Sequence, residues 1–106
     1  MFEFVCDVMP VATGKHAELL CAAVLSQSNQ LYSGEKTADT PSKLVLTVHV
    51  ADDMGSEATL KMHDYAGHAR ESARLGVTTT DKLTPAVHSN RLAKILLADL
   101  QRQRGN

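Results

Sequence analysis

The sequence has little net charge and no long apolar run. The chain contains 11 lysine and arginine residues and 12 aspartate and glutamate residues, which give it a formal net charge of -1 at pH 7. Such a balance gives no electrostatic reason to expect nucleic acid or an anionic membrane as a partner. No apolar run approaches the roughly 18 residues that cross a bilayer. The opening stretch MFEFVCDV contains acidic residues and no basic lead, so we expect no signal peptide.

Cysteine is scarce as well. Cys6 and Cys21 both lie in apolar stretches, so we expect free, buried thiols and a cytoplasmic protein, with a disulfide as the alternative. Two cysteines without a spaced His/Cys cluster do not make a zinc site, and His49, His63 and His68 do not form a tidy metal triad. We therefore predict no metal. The sequence also contains no glycine-rich phosphate loop and no nucleophile elbow.

The length of 106 residues predicts a single domain that spans residues 1–106. A chain of this size buries roughly two thirds of its accessible surface on folding, which is enough for one core and a small ligand cavity. The last residues, 101–106, are polar and predict a frayed tail. We find no internal repeat and no low-complexity segment.

Apolar spacing predicts the first elements of the chain. Residues Phe2–Met9 alternate in part and predict a strand. A helix is expected to open at Thr13–Lys15 and to dissolve into the polar residues Ser26–Gln30. Leu31–Thr37 is a weak strand candidate, and Lys43–Val50 (KLVLTVHV) is the clearest strand, with one apolar and one mixed face.

The second half of the chain contains a predicted helix and one open choice. Apolar residues between Ala58 and Gly76 recur at helical spacing, and Gly67 falls inside that pattern, where it would kink or interrupt a helix. The segment Ala86–Leu100 is either a second amphipathic helix or a closing strand.

The order of these elements predicts the class of fold. With a strand as the last element, the chain is an α+β protein with the ferredoxin-like order βαββαβ and an antiparallel sheet that carries both helices on one face. The opposite face of the sheet looks too apolar for water. We therefore expect a second copy to cover it in a homodimer that pairs sheet to sheet.

Several short motifs, taken in order, resemble one known family. Val11–Lys15 followed by Glu18–Leu19 resembles the turn that enters the first helix of the antibiotic biosynthesis monooxygenase-like family, whose members are dimeric α+β barrels. Pro41–Leu46 resembles that family's turn and third strand. Ala58–His68 resembles its helix that ends in a histidine, a short break and a second histidine. The resemblance covers roughly residues 2–76.

The resemblance implies a pocket in each protomer between the sheet and its helices. Members of the family include cofactor-independent oxygenases of aromatic substrates, quinol oxygenases, haem-degrading enzymes and an isomerase. The haem degraders share a tryptophan, and this sequence has none, so no haem residues are carried over and no cofactor is expected. The function implied is a cofactor-independent monooxygenase, or a related isomerase, that acts on a small aromatic or enolisable molecule.

The candidate site follows from that pocket. His63 and His68 are the predicted acid–base pair, provided that a helix break at Gly67 brings them together, and Tyr65 is predicted to hydrogen-bond a substrate carbonyl. Alternatively, His63 and His68 are surface residues without a catalytic role and Tyr65 belongs to the core. His49 is assigned to the dimer face. The substrate-binding wall is predicted from Phe4, Cys6, Tyr32, Leu46, Val48 and Met62. The rival function is a non-catalytic ligand-binding or protein-interaction module on the same dimeric fold.

Overall fold

A computed structural model of the chain describes residues 2–10, 14–32, 40–52, 55–78 and 85–104. Within them the elements follow the order β-α-β-β-β-β-α. These are β1 (Glu3–Val8), α1 (Lys15–Leu31), β2 (Pro41–Asp52), β3 (Gly55–Asp64), β4 (Ala69–Glu71), β5 (Leu75–Thr78) and α2 (Pro85–Arg104).

One mixed sheet contains all of these strands. β1 pairs with β2 in parallel, β2 pairs with β3 antiparallel, and β4 and β5 both pair with β3 along its other side. A parallel pair needs a long crossover connection, and α1 lies in that connection. The predicted α+β class is confirmed. The predicted purely antiparallel sheet is wrong, because β1 runs parallel to its neighbour.

The core lies between one face of the sheet and the two helices. Leu44, Leu46 and Val48 on β2 are fully buried and stand opposite Met62, Leu60 and Ala58 on β3. Side chains of both helices complete this core, among them Ala17, Leu20, Val24, Leu92, Leu96 and Leu100. Both helices therefore cover the same face, and the other face, which we call the open face, carries no helix in the described part of the chain.

A β-bulge changes the alternation near the end of β2. The register between β2 and β3 shifts between Val48 and Val50, so His49 is the extra residue. Beyond the bulge, Ala51 is buried and stands opposite Ser56, whereas Val50 is only half-buried and stands opposite Glu57. Strict alternation along KLVLTVHV predicts that Val50 lies on the apolar face with Leu44, Leu46 and Val48, and this prediction is wrong because the bulge changes the alternation.

Helix α1 is longer than predicted. Its buried positions Ala17, Leu20, Val24 and Ser28 continue at helical spacing through the polar stretch that was expected to end it. The amide of Gln27 donates to the main-chain oxygen of Asn90 on α2 at 2.9 Å. Contact with the second helix therefore keeps the polar end of α1 helical, which local composition alone does not predict.

The predicted helix between Ala58 and Gly76 is wrong, because this segment forms β3, a turn, β4 and β5. Apolar residues at spacings of three and four suggested a helix. The same segment also alternates strictly: even-numbered residues from Ala58 to Asp64 are buried and the odd-numbered ones are half-buried. The segment forms a strand because its alternating apolar residues can then pair with the apolar row of β2, and these cross-strand contacts stabilise the sheet.

The open choice at Ala86–Leu100 is settled as a helix, since α2 covers Pro85–Arg104. A closing strand is thus absent from this segment, and the order of elements is not the ferredoxin-like βαββαβ. The weak strand predicted at Leu31–Thr37 begins on the last residue of α1, and residues 33–39 lie outside the described residues. Of the predicted frayed tail, residues 101–104 belong to α2.

The edge of the sheet is interrupted between β4 and β5 at Ser72. The Ser72 N–H donates to the oxygen of Leu60 at 2.8 Å, and the Ser72 hydroxyl accepts the Leu60 N–H at 2.9 Å while it donates to the oxygen of Ala73. The Ala73 N–H in turn donates to the Asp99 carboxylate on α2 at 3.0 Å. A buried serine thus replaces the ladder hydrogen bonds that the break removes.

Two buried serines give a matched test of this role. We expect Ser72→Ala to lower the free energy of unfolding by about 1–3 kcal/mol, because the Leu60 N–H loses its buried acceptor. Ser28→Ala should leave it unchanged or raise it by about 0.5 kcal/mol, since the buried Ser28 hydroxyl has no hydrogen-bond partner among the described residues and alanine favours a helix. Urea unfolding followed by circular dichroism measures both. Equal losses in the two variants would contradict the assignment.

Candidate functional site

The predicted catalytic residues lie on the hairpin between β3 and β4. The Asp64 N–H donates to the oxygen of His68 at 2.9 Å, and the Gly67 N–H donates to the oxygen of Asp64 at 3.2 Å. Gly67 has φ of 89°, a left-handed conformation that glycine adopts without steric cost. A three-residue loop that ends in such a residue is a common hairpin connection. Gly67 thus turns a hairpin rather than breaking a helix.

The buried side chain of Asp64 stabilises this turn by hydrogen bonding. Its side chain is 4% exposed, and its Oδ1 accepts the main-chain N–H of His68 at 2.9 Å. Its Oδ2 lies 3.8 Å from Nδ1 of His68, whose side chain is 79% exposed. The pair combines a buried carboxylate with an exposed imidazole. Asp64 is not among the site residues predicted from the sequence, although an aspartate that precedes a glycine turn is a known turn signal.

His63 belongs to the open face. Its nearest cross-strand neighbours are Lys43 on β2 and Ala69 on β4, and Glu3 on β1 stands beyond Lys43 in the same row. The Lys43 ammonium lies 3.7 Å from the Glu3 carboxylate. His63 therefore lies at one end of a charged row that crosses the open face.

The three predicted catalytic residues share the hairpin but not a pocket. Tyr65 is 48% exposed in the turn, His68 is exposed beside it, and His63 lies on the strand. Successive strand residues point to opposite faces of a sheet, so the buried Met62 and its neighbour His63 are on opposite sides. Tyr65 and His68 lie at the same turn, and His63 lies apart from them on β3. The catalytic roles of all three residues stay predictions.

The predicted substrate-binding residues lie on the other side of the sheet. Leu46, Val48 and Met62 are 0–2% exposed and belong to the core. Phe4, Cys6 and Tyr32 are partly buried and pack against that core. The Tyr32 hydroxyl donates to the Met62 sulfur at 3.8 Å. These side chains fill the space between sheet and helices, and the sheet separates them from His63.

His49 was assigned to the dimer face. Its position in the β-bulge places its Nε2 2.9 Å from the Thr59 hydroxyl oxygen on β3. Thr59 stands opposite Thr47, so the contact belongs to the open face. The structure therefore agrees with the predicted position of His49 and does not test whether a second copy contacts it.

Two cavities lie away from the hairpin. The larger, about 740 Å³, is a groove between α1 and α2, which we call the helix groove. Its polar lining consists of Ser26, Gln27 and Gln30 from α1 and Asn90, Lys94 and Gln101 from α2. The smaller, about 460 Å³, lies between β1 and α1 and is lined in part by Cys6, Val8, Ala17 and Cys21. None of the three predicted catalytic residues lines either cavity.

Cys6 and Cys21 form a disulfide that joins β1 to α1, with their Cα atoms 6.0 Å apart. That separation is ordinary for a disulfide. The predicted free thiols are therefore wrong. The strand and the helix that follows it place the two residues side by side, and sequence spacing alone does not show this. Cys6, which is predicted to contact substrate, is one half of this cross-link.

No helix in the described ranges is long and apolar enough to span a membrane. Among the same residues, no group of three or more His, Cys, Asp or Glu side chains is arranged to hold a metal ion.

Comparison of the chain with protein-family models and with curated proteins finds no significant match. The resemblance to antibiotic biosynthesis monooxygenase-like proteins therefore remains a hypothesis.

The disulfide can be tested directly. We expect denatured, unreduced protein to take up no iodoacetamide and reduced protein to take up an adduct on both cysteines, as measured by intact mass. Because the cross-link closes a loop between residues 15 positions apart, the double variant Cys6→Ser/Cys21→Ser should lose about 2–4 kcal/mol of stability. A reducing agent should lower the stability of the wild type and leave that variant unaffected. Adducts on the unreduced wild type would contradict the assignment.

Proposed function

We propose that the chain is a small binding and interaction module that works as a homodimer paired through the open face of its sheet. The single observation that carries the proposal is the one-sided covering of the sheet. Both helices pack on one face, while side chains on the open face, such as Val45, Thr47 and Lys61, remain only half-buried. A sheet with one uncovered face of this kind is a natural docking surface.

The charges of the open face support a second copy as its occupant. On β1 the open face carries Glu3 and Asp7, and on β3 it carries Lys61 and His63. β3 also carries Glu57 on this face, and the Arg74 guanidinium pairs with that carboxylate at 3.1 Å. A two-fold axis that runs parallel to β2, between two facing sheets, sets β1 of one copy against β3 of the other. Acidic and basic strands then face each other twice. An isologous dimer requires a self-complementary surface of this kind.

The middle of that interface is apolar. Val45 on β2 stands between Val5 on β1 and Lys61 on β3, and β2 lies on the proposed axis. Each copy's Val45 therefore meets its own equivalent. Lys43, on the same face of β2, also meets its equivalent at the axis, but its ammonium lies 3.7 Å from the Glu3 carboxylate of its own copy, which offsets the charge. Val45 has Val5 and Lys61 as its cross-strand neighbours, so a positive charge placed at residue 45 faces a like charge with no such carboxylate beside it.

We expect Val45→Arg to convert a dimer into a monomer, because two like charges would face each other at the axis. Light scattering coupled to gel filtration measures the mass. Val87→Arg is the matched control, since Val87 is 42% exposed on α2, away from the open face, and this variant should remain dimeric. Circular dichroism confirms that both variants are folded. A wild type that is monomeric at high concentration would refute the dimer.

The second candidate is the cofactor-independent monooxygenase, or related isomerase, implied by the family resemblance. One observation favours it, the buried Asp64 carboxylate beside the exposed His68 imidazole. A carboxylate that orients an imidazole is a recurring arrangement of general bases. In this alternative the substrate is a small aromatic or enolisable molecule that binds outside the filled core.

Oxygen uptake with a panel of hydroxyaromatic compounds tests this candidate. If the pair is a general base, His68→Gln and Asp64→Asn should each lower kcat by about 10²-fold or more. His63→Gln should have little effect, because within the described ranges no carboxylate is paired with the His63 imidazole as Asp64 is with His68. No oxygen uptake by the wild type, or unchanged turnover in the His68 and Asp64 variants, would exclude the role.

The cytoplasmic location also remains a prediction. It rested on free thiols, and the disulfide removes that support, because structural disulfides persist chiefly in oxidising compartments.

A further inference from the structure

The two walls of the helix groove differ in charge. The α1 wall is formed by a stretch, Leu19–Leu31, that contains no charged residue. It presents the carboxamides of Gln27 and Gln30. The α2 wall adds Lys94 together with Asn90 and Gln101. The groove is therefore a neutral, hydrogen-bonding surface with a single cation.

The carboxamides suit a polypeptide main chain. Each side-chain amide carries a donor and an acceptor in one plane, and each peptide unit offers the same two groups. The structure already contains one such contact, since the Gln27 amide donates to the main-chain oxygen of Asn90. Apolar atoms of Leu31, Leu97 and Ala98 also line the groove, so alternate side chains of an extended segment have an apolar surface to contact.

The charge of α2 selects an acidic partner. Arg91, Lys94 and Arg102 lie on its exposed surface. The Asp99 carboxylate accepts hydrogen bonds from the Arg102 guanidinium at 2.7 Å and from the Ala73 N–H at 3.0 Å, so Asp99 and Arg102 offset each other and Arg91 and Lys94 set the charge of this surface. The described surface of this helix is thus cationic although the whole chain has a net charge of -1. Attraction of this kind speeds encounter with an oppositely charged partner.

The dimensions of the helix groove fit a short segment. Its α2 wall extends from Asn90 to Gln101, which is about 16 Å at ~1.5 Å per helical residue. An extended chain advances ~3.3 Å per residue, so about five residues match this length. The volume of about 740 Å³ lies within the ~300–1,000 Å³ typical of ligand sites.

We propose that the helix groove binds an extended acidic peptide segment of a partner protein. The ammonium of Lys94 pairs with a carboxylate of the segment, and the carboxamides of Asn90 and Gln101 on the α2 wall bind its main chain. This inference rests on the proposed function, since it names the partner of the binding module. Both helices lie on the face of the sheet opposite the dimer surface, so the groove stays accessible in the proposed dimer.

Fluorescence anisotropy with a labelled peptide of about six alternating glutamate and leucine residues tests the inference. We expect saturable binding that weakens as salt is raised and no comparable binding of a peptide of alternating lysine and leucine. Lys94→Gln should weaken binding about fivefold or more, as expected for loss of a charge-assisted hydrogen bond. Arg91→Gln is the matched control, because it removes the same charge from α2 at a residue that does not line the groove.

The outcomes separate the inference from the proposed function. Equal weakening by Lys94→Gln and Arg91→Gln would show general electrostatic attraction and would overturn the groove as the site. No binding of the acidic peptide, or equal binding of the basic one, would overturn the inference as well. Gel filtration of the same samples reports the mass of the protein, so a dimer that fails to bind peptide refutes only the peptide site.

Discussion

The structure depends on the pairing of β2 with β3. Their inner row sets Leu44 against Met62, Leu46 against Leu60 and Val48 against Ala58, and these six side chains are almost completely removed from water. Burial of apolar surface on this scale is the main favourable contribution to folding. Both helices pack on this row, β1 adds to one side of the pair, and β4 and β5 add to the other. Every later feature, including the hairpin and the helix groove, is positioned by this two-stranded ribbon.

The sequence predicts the local parts of this arrangement better than its assembly. The alternation in KLVLTVHV identifies β2, and the start of α1 follows from the apolar spacing after Gly14. The segment from Ala58 onward was misassigned because small residues fit both a helical and an alternating pattern. Pairing with β2 stabilises the strand over the helix, and β2 precedes this segment in the chain, so the local sequence does not show the pairing. The β-bulge at His49 likewise appears only when the register of two strands is known.

The predicted arrangement of the site changes at the same step. Once β3 is a strand, Met62 and His63 must lie on opposite faces, so an apolar pocket wall cannot meet a histidine beside it. The buried Asp64, which no pattern singled out, instead fastens the turn to His68. The cysteine pair shows the same dependence on tertiary structure, because only the packing of α1 on β1 brings Cys6 to Cys21. Distance along the chain says little about such contacts.

The disulfide also decides how the molecule bears mechanical load. β1 is an edge strand that pairs only with β2 in the described sheet, and tension at the N-terminal end would ordinarily separate such a strand from its neighbour. Cys6 lies within β1 and is covalently joined to Cys21 on α1. Tension applied at residue 2 therefore passes through the cross-link into α1, whose buried side chains anchor it in the core. Tension therefore cannot separate β1 from β2 beyond Cys6 without also displacing α1 from the core.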